Sequence, residues 1–228
     1  MKQPSIFDSL LRLPLIKGIS HARLQEIVGH MKLHFTKEPA GAAIVEASEP
    51  CDRLKFVLSG SVRLTLSGPA SDLEVKQTLT APQVITPDCL FGLNTTYPCR
   101  VDALDDVGLM EISKEDYRHM LAMDPVFLFN YLNTTCTASQ RSQRGLLSIA
   151  SGSAIERVAY WALTLTQPGA TDITLSSETR DLHSILGITT AAMRTATERM
   201  IAAGIVDEAS PRCIHITSRQ ALQDGEIG

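Results

Sequence analysis

Between Ser177 and Thr217 the chain carries four arginines, Arg180, Arg194, Arg199 and Arg212, set among threonines, alanines and apolar residues. A guanidinium offers a planar fork of donors that fits phosphate oxygens or the edge of a guanine. Arg194 suits a base or a phosphate, whereas Arg199 suits the sugar-phosphate backbone. Arg180 and Arg212 suit phosphates on either side of them. The other reactive residue types form no pattern. Cys51, Cys89, Cys99, Cys136 and Cys213 are an odd number and widely scattered, without zinc spacing, and read as free thiols in a reducing compartment. The chain has no P-loop, Gly-rich dinucleotide turn, metal-ligand cluster or G-x-S-x-G elbow, so no enzyme activity and no catalytic or metal-binding residue is expected.

The elements that must position these arginines are two short helices joined at Gly187. Leu182, Ile185 and Leu186 form the apolar side of the first. Thr189 or Thr190 caps the second, whose Met193, Ala196, Met200 and Ile201 are expected to be buried. This is the helix-turn-helix layout, whose second helix fits a DNA major groove. Ala203–Val206 and Cys213–Thr217, linked by Ser210-Pro211-Arg212, read as a following β-hairpin, the wing.

Upstream the texture differs. Ile6, Leu10 and Leu13 start a helix, and Ser20 caps another carrying Leu24, Ile27 and Val28. From about Lys32 to Ser113 short β-type runs alternate with turn residues. The clearest is Leu54–Leu58, Ser59-Gly60 and Ser61–Leu66, read as a tight hairpin because Gly60 permits positive φ. Ala43–Ala47, Leu73–Leu79, Cys99–Leu104 and Val107–Ile112 are further strands of an antiparallel roll or jelly roll. Ser113 caps a helix. After Asp124-Pro125 a long helix extends to about Ala150, where Phe129, Leu132, Cys136, Ser139, Gln143, Leu146 and Ala150 alternate three and four apart. That spacing makes one seam suited to pairing two helices, with a polar centre where a bound ligand could adjust the pairing. Ser151-Gly152-Ser153 is the next boundary, followed by a helix over Ala154–Thr166.

The fold class is therefore α+β: an N-terminal antiparallel β roll over 1–124, a dimerisation helix over 125–150 and a winged helix-turn-helix over 151–228. Lys2, Asp8 and Arg12 interrupt the opening residues, which do not read as a secretory leader, and no apolar run is long enough to span a membrane. A cytoplasmic location is expected. The net charge of −4 excludes a generally basic nucleic-acid coat. Residues 151–228 alone hold six arginines, no lysine and nine acids, a net −3, so DNA affinity would depend on a local arginine stripe.

The chain resembles the Crp/Fnr family of transcription regulators. The resemblance lies in Leu58-Ser59-Gly60-Ser61-Val62, Phe91-Gly92, Val101-Asp102-Ala103-Leu104 and the segment Arg180–Val206. It implies a cyclic-nucleotide-binding-type roll and a bacterial homodimer on a near-palindromic double-stranded DNA site, with RNA polymerase as a further partner. By this resemblance the effector pocket involves Phe91, Gly92, Leu93, Tyr97, Pro98, Cys99, Arg100, Ser139 and Gln143. It also places Thr189, Thr190, Ala191, Arg194 and Thr195 at the start of the DNA-reading helix, with Arg180, Arg199 and Arg212 around it. Where the family has an Arg-Glu pair and a later Arg, this chain has Thr190, Ala191 and Thr195. These retain hydroxyls and a methyl that could touch thymine, but not bidentate guanine reading. His183 stands where a small residue is usual, and the small Ala196 is expected to compensate by facing it.

The nucleotide pocket departs further. The ribose-binding Glu is replaced by Leu93, and the phosphate-binding Arg-Ser pair falls on Tyr97 and Pro98, with Arg100 nearby. Cyclic AMP is thus not the expected effector. No N-terminal cysteine cluster exists for an iron-sulfur cluster. Haem remains open, with His21, His30, His34, His119 and any Met or Cys as ligand candidates and no spacing that identifies a pair, as does another small apolar effector or none. The alternative to a DNA-binding regulator is a ligand-binding module acting through protein contacts.

Overall fold

The computed structural model describes residues 6–13, 15–29, 31–68 and 72–224; His30 lies outside them. In chain order the elements are α1 (Ile6–Leu10), α2 (His21–Val28), β1 (His34–Glu38), β2 (Ala43–Val45), β3 (Arg53–Ser59), β4 (Ser61–Ser67), β5 (Leu73–Thr80), β6 (Gln83–Val84), β7 (Arg100–Ala103) and β8 (Val107–Ser113). Then come α3 (Lys114–Met123), α4 (Pro125–Ser151), α5 (Ala154–Leu165), β9 (Thr171–Ser177), α6 (Leu182–Ile185), α7 (Thr190–Ala202), β10 (Val206–Ser210), β11 (Cys213–Ser218) and α8 (Arg219–Asp224). The chain forms two compact units. One comprises residues 1–62 and 80–137; the other comprises 63–79 and 138–228. This division differs from the sequence-based one at 124 and 150. It falls inside α4, and it assigns most of β4 and β5 to the C-terminal unit.

In the first unit, β1, β8, β3 and β6 lie side by side in an antiparallel sheet, and β2 pairs with β7. Phe56 of β3 stands opposite Met110 of β8, and Leu54 opposite Ile112; all four are buried. Apolar residues at alternate positions put one face of each strand into the core. Leu24 and Ile27 of α2 are buried as well, and Ser20 caps that helix by accepting the Arg23 N–H at 3.2 Å. Ser113 caps α3 in the same way, accepting the Asp116 N–H at 3.0 Å.

The expected hairpin at Ser59-Gly60 does not form. β3 pairs with β8 and β6, whereas β4 lies beside β5 in another sheet, so Gly60 turns the chain from sheet to sheet. Its φ of +83° suits either role, which is why the turn residue alone misleads. The physical reason is pairing: both edges of β3 are taken, by β8 and by β6, and space separately demands glycine at the turn. A Cβ on Gly60 would overlap the Asp105 carboxylate and stand 2.7 Å from the Asp106 carbonyl oxygen.

In the second unit the strands follow the order β10, β11, β9, β5, β4. Ile173 and Leu175 of β9 and Ile214 and Ile216 of β11 alternate into the core. α5 opens with a capping box between Ser153 and Glu156 and buries Val158, Ala159, Trp161, Ala162 and Leu163. The buried Arg219 ties the end of α5 to the start of α8, donating through Nη1 to the carbonyls of Leu163 (2.8 Å) and Thr166 (2.6 Å). Among the described residues no helix is long and apolar enough to cross a membrane.

Candidate nucleic-acid interface and effector loop

α6 and α7 meet at Gly187, whose φ of +62° makes the turn. Leu182, Leu186, Met193, Ala196, Thr197 and Met200 are buried, and Ile205 closes the same core. Thr189 is the cap of α7, its side chain accepting the Ala192 N–H at 3.2 Å. The opposite face of α7 is solvent-facing: Thr190, Ala191, Arg194, Thr195, Glu198 and Arg199 are all exposed. Ile201, expected inside, is instead 44% exposed. It follows Met200 directly, and the 100° step between neighbouring helix positions carries it off the buried stripe. His183 reaches toward the start of α7, its Nε2 lying 3.4 Å from Thr190 Oγ1.

Three of the four arginines expected to form a cationic stripe, Arg180, Arg194 and Arg212, are engaged with acids. Arg180 Nε lies 3.6 Å from Asp72 Oδ1, and Arg194 Nε lies 3.8 Å from Glu198 Oε1. Arg212 donates to Asp181 Oδ1 at 3.2 Å and to the Glu178 carbonyl at 2.9 Å. The Arg194–Glu198 and Arg212–Asp181 pairs are exposed and individually weak, so a phosphate can displace those two carboxylates. A hairpin forms here, with β10 and β11 antiparallel and Ser210 opposite Cys213, but its first strand runs over Val206–Ser210 rather than the expected Ala203–Val206.

Sequence reasoning missed β9 and what fastens to it. Asp72 Oδ2 accepts from Ser177 Oγ at 2.8 Å, from Thr179 Oγ1 at 2.6 Å and from the Thr179 N–H. Those hydrogen bonds, from Thr179 foremost, hold the Asp72 carboxyl far below the usual range. His215 sits between two carboxylates, with Nε2 2.7 Å from Asp172 and Nδ1 2.5 Å from Asp207. Two ionised carboxylates facing both ring nitrogens favour the doubly protonated ring, in which each nitrogen donates. Burial opposes its charge, but the two carboxylates prevail and raise its pKa; they are lowered in turn. The alternation of Thr171–Ser177 was the available signal for β9.

The effector loop has the opposite character. Phe91 packs edge-on against Tyr131 at 5.5 Å between ring centres and stacks on Tyr117 at 6.5 Å. Gly92 has φ +110° and Leu93 is fully exposed. Tyr97 is buried and its hydroxyl donates to the Arg53 carbonyl at 3.0 Å. Pro98 is exposed and Cys99 buried; burial pushes the Cys99 thiol up to about 12. Arg100 is clasped by Asp102 (2.9 and 3.0 Å) and Glu46 (3.0 and 3.1 Å). Ser139 and Gln143 are exposed on the part of α4 that belongs to the second unit. The whole expected seam, Phe129, Leu132, Cys136, Ser139, Gln143, Leu146 and Ala150, is exposed in the single chain. His21, His34 and His119 are exposed.

Residues 36–124 match the cyclic nucleotide-binding domain family. No curated protein sequence matches the chain. Among solved structures, the catabolite activator protein of Thermus thermophilus is 19% identical, with 92% of this chain and 97% of that one covered at a TM-score of 0.52. DNR from Pseudomonas aeruginosa, at 19% identity, covers 98% of both chains with a TM-score of 0.45. FixK2 from Bradyrhizobium japonicum, at 18%, covers 85% of this chain and 97% of its own with a TM-score of 0.44. Residues 36–124 are thus similar to a cyclic nucleotide-binding domain, and the chain has the fold of the Thermus catabolite activator protein.

Proposed function

We propose that the protein is a homodimeric bacterial transcription regulator of the Crp/Fnr type that binds a near-palindromic DNA site through α7. The observation that carries this reading is the division of α7 into a buried face and a solvent face bearing Thr190, Ala191, Arg194, Thr195 and Arg199, with a wing following it. Ala191 and the two threonines suit a thymine methyl and base edges, Arg194 a base or phosphate, and Arg180, Arg199 and Arg212 the backbone. The exposed seam of α4 supports pairing with a second copy, which would set two half-sites about one helical turn apart. RNA polymerase is the further partner such a regulator would engage, in the cytoplasm.

The residues do not fit a cyclic nucleotide. Its phosphate would meet the Tyr97 and Pro98 positions, and the nearby cation, Arg100, is held by two carboxylates. The effector proposed is therefore a small molecule other than cyclic AMP, haem included, taken up by the roll. The second reading, a module acting through protein contacts, is favoured by the acid-paired arginines and the net −3 of residues 151–228.

Selection of duplexes from a random-sequence pool separates the two readings. DNA binding predicts enrichment of a near-palindrome. Arg180→Ala then weakens all duplexes alike, while Arg194→Ala changes which sequence is enriched. A pool that emerges unenriched at moderate salt would favour the protein-contact reading.

A further inference from the structure

The edge of β9 carries a guest strand. β5 belongs to a hairpin whose chain leaves the first unit after Val62 and re-enters it at Thr80, yet it runs antiparallel along β9. Leu73 stands opposite Ser177, Val75 opposite Leu175 and Thr78 opposite Thr171. Without it, that edge of β9 would expose a row of unpaired backbone groups, a surface that accepts an extended strand.

Side chains fasten the hairpin along its length. At the tip, Asp72 takes hydrogen bonds from Ser177 and Thr179 and faces Arg180. In the middle, the buried Gln77 accepts the Gln167 N–H at 2.7 Å. At the far end, Asp172 accepts from Thr78 Oγ1 at 3.1 Å and from Arg63 Nη2 at 3.0 Å.

The tip is where docking meets the proposed function. Asp72 lies on Arg180, directly before α6, and a carboxylate competes with a DNA phosphate for one guanidinium while repelling that phosphate. We propose that the β4–β5 hairpin is an intramolecular latch: docked on β9, it occupies Arg180 with Asp72 and lowers DNA affinity until its tip lifts. This inference rests on the DNA-binding reading above. Because both ends of the hairpin continue into the first unit, a rearrangement there acts on the latch through the chain itself.

A reversible lock tests it. Glu74 and Ser176 are opposite one another, so Glu74→Cys with Ser176→Cys, in a Cys136→Ser, Cys213→Ser background, can close a disulfide near the tip. Oxidation changes no charge, so simple electrostatics predicts no effect. The latch predicts that the oxidised full-length protein binds the selected duplex about tenfold more weakly than the reduced form, the loss of one charge-assisted phosphate contact. It also predicts that Arg180→Ala weakens the reduced form but leaves the oxidised form unchanged. Asp72→Asn in the unlocked protein should raise affinity about two- to fivefold. Equal affinity of the two redox forms, with Arg180→Ala weakening both, would overturn the latch and leave DNA binding intact. Failure of wild type and every variant to bind any duplex would overturn the DNA-binding reading and the latch with it.

Discussion

The effector loop and the helix-turn-helix use polar residues in opposite ways. In the loop, polar groups are spent internally: the Tyr97 hydroxyl on the Arg53 carbonyl, Arg100 on Asp102 and Glu46. On α7, Thr190, Arg194, Thr195, Glu198 and Arg199 face solvent, and Glu198 is held only by a weak exposed pair with Arg194. The likeness of residues 36–124 to a cyclic nucleotide-binding domain is therefore a likeness of frame, and the chemistry of the site has to be read residue by residue. The loop pairs its polar groups internally, whereas α7 leaves its own facing solvent.

That contrast is open to direct attack by substitution. The largest expected effect is on stability: Tyr97→Ala should lower unfolding free energy by about 3–5 kcal/mol in urea titrations, the range for deleting a buried aromatic side chain. Leu93→Ala, four residues earlier but fully exposed, should stay within about 0.5 kcal/mol. A tolerant Tyr97 would mean that the loop is a site after all.

Next in size, Arg194→Ala should leave the urea midpoint unchanged while reducing discrimination among selected duplexes by about 1–3 kcal/mol, read by competition gel shift. Loss of stability without loss of discrimination would reverse the roles assigned to the two regions. Cyclic AMP, titrated by calorimetry at millimolar concentration, should give no binding heat and no change in duplex affinity. Saturable binding would restore the loop as a nucleotide site.

The smallest effect sharpens the second region. The His215 imidazolium faces Asp172 and Asp207, with Glu208 opposite it on β10 and Arg63 reaching Asp172 from β4. A raised histidine pKa gives stability that is complete below about 6.5 and lost as pH rises through the raised value. The lowered carboxylates contribute above their usual range, near 4, and lose that contribution as pH falls. The wild type should therefore show its highest Tm between these limits. His215→Gln should flatten the alkaline side, and an unchanged profile would show the ring to be neutral.

Local signals made much of this legible from sequence. Ser20, Ser113 and Thr189 announce helix starts through a short side chain that bonds its own backbone three residues on. The three-four seam of α4 and the apolar stripe of α7 follow from periodicity. Two things were not legible. Gly60 signals positive φ, but whether the chain then folds back or crosses to another sheet depends on partners distant in sequence. Asp72 likewise looks like a loop acid, because Ser177 and Thr179 stand more than 100 residues away.

One glycine sets a distance. In α4, a Cβ on Gly145 would overlap Thr164 Oγ1, so α4 and α5 touch where only a hydrogen separates them. Alanine in mid-helix ordinarily gains about 1 kcal/mol over glycine; here it would act as a shim. α5 packs against α7, so a methyl group at Gly145 would press on Thr164 and, through α5, shift α7. In the proposed dimer that displacement occurs twice, once on each side of the symmetry axis. The spacing between two DNA half-sites would thus be gauged by the absence of a single carbon atom.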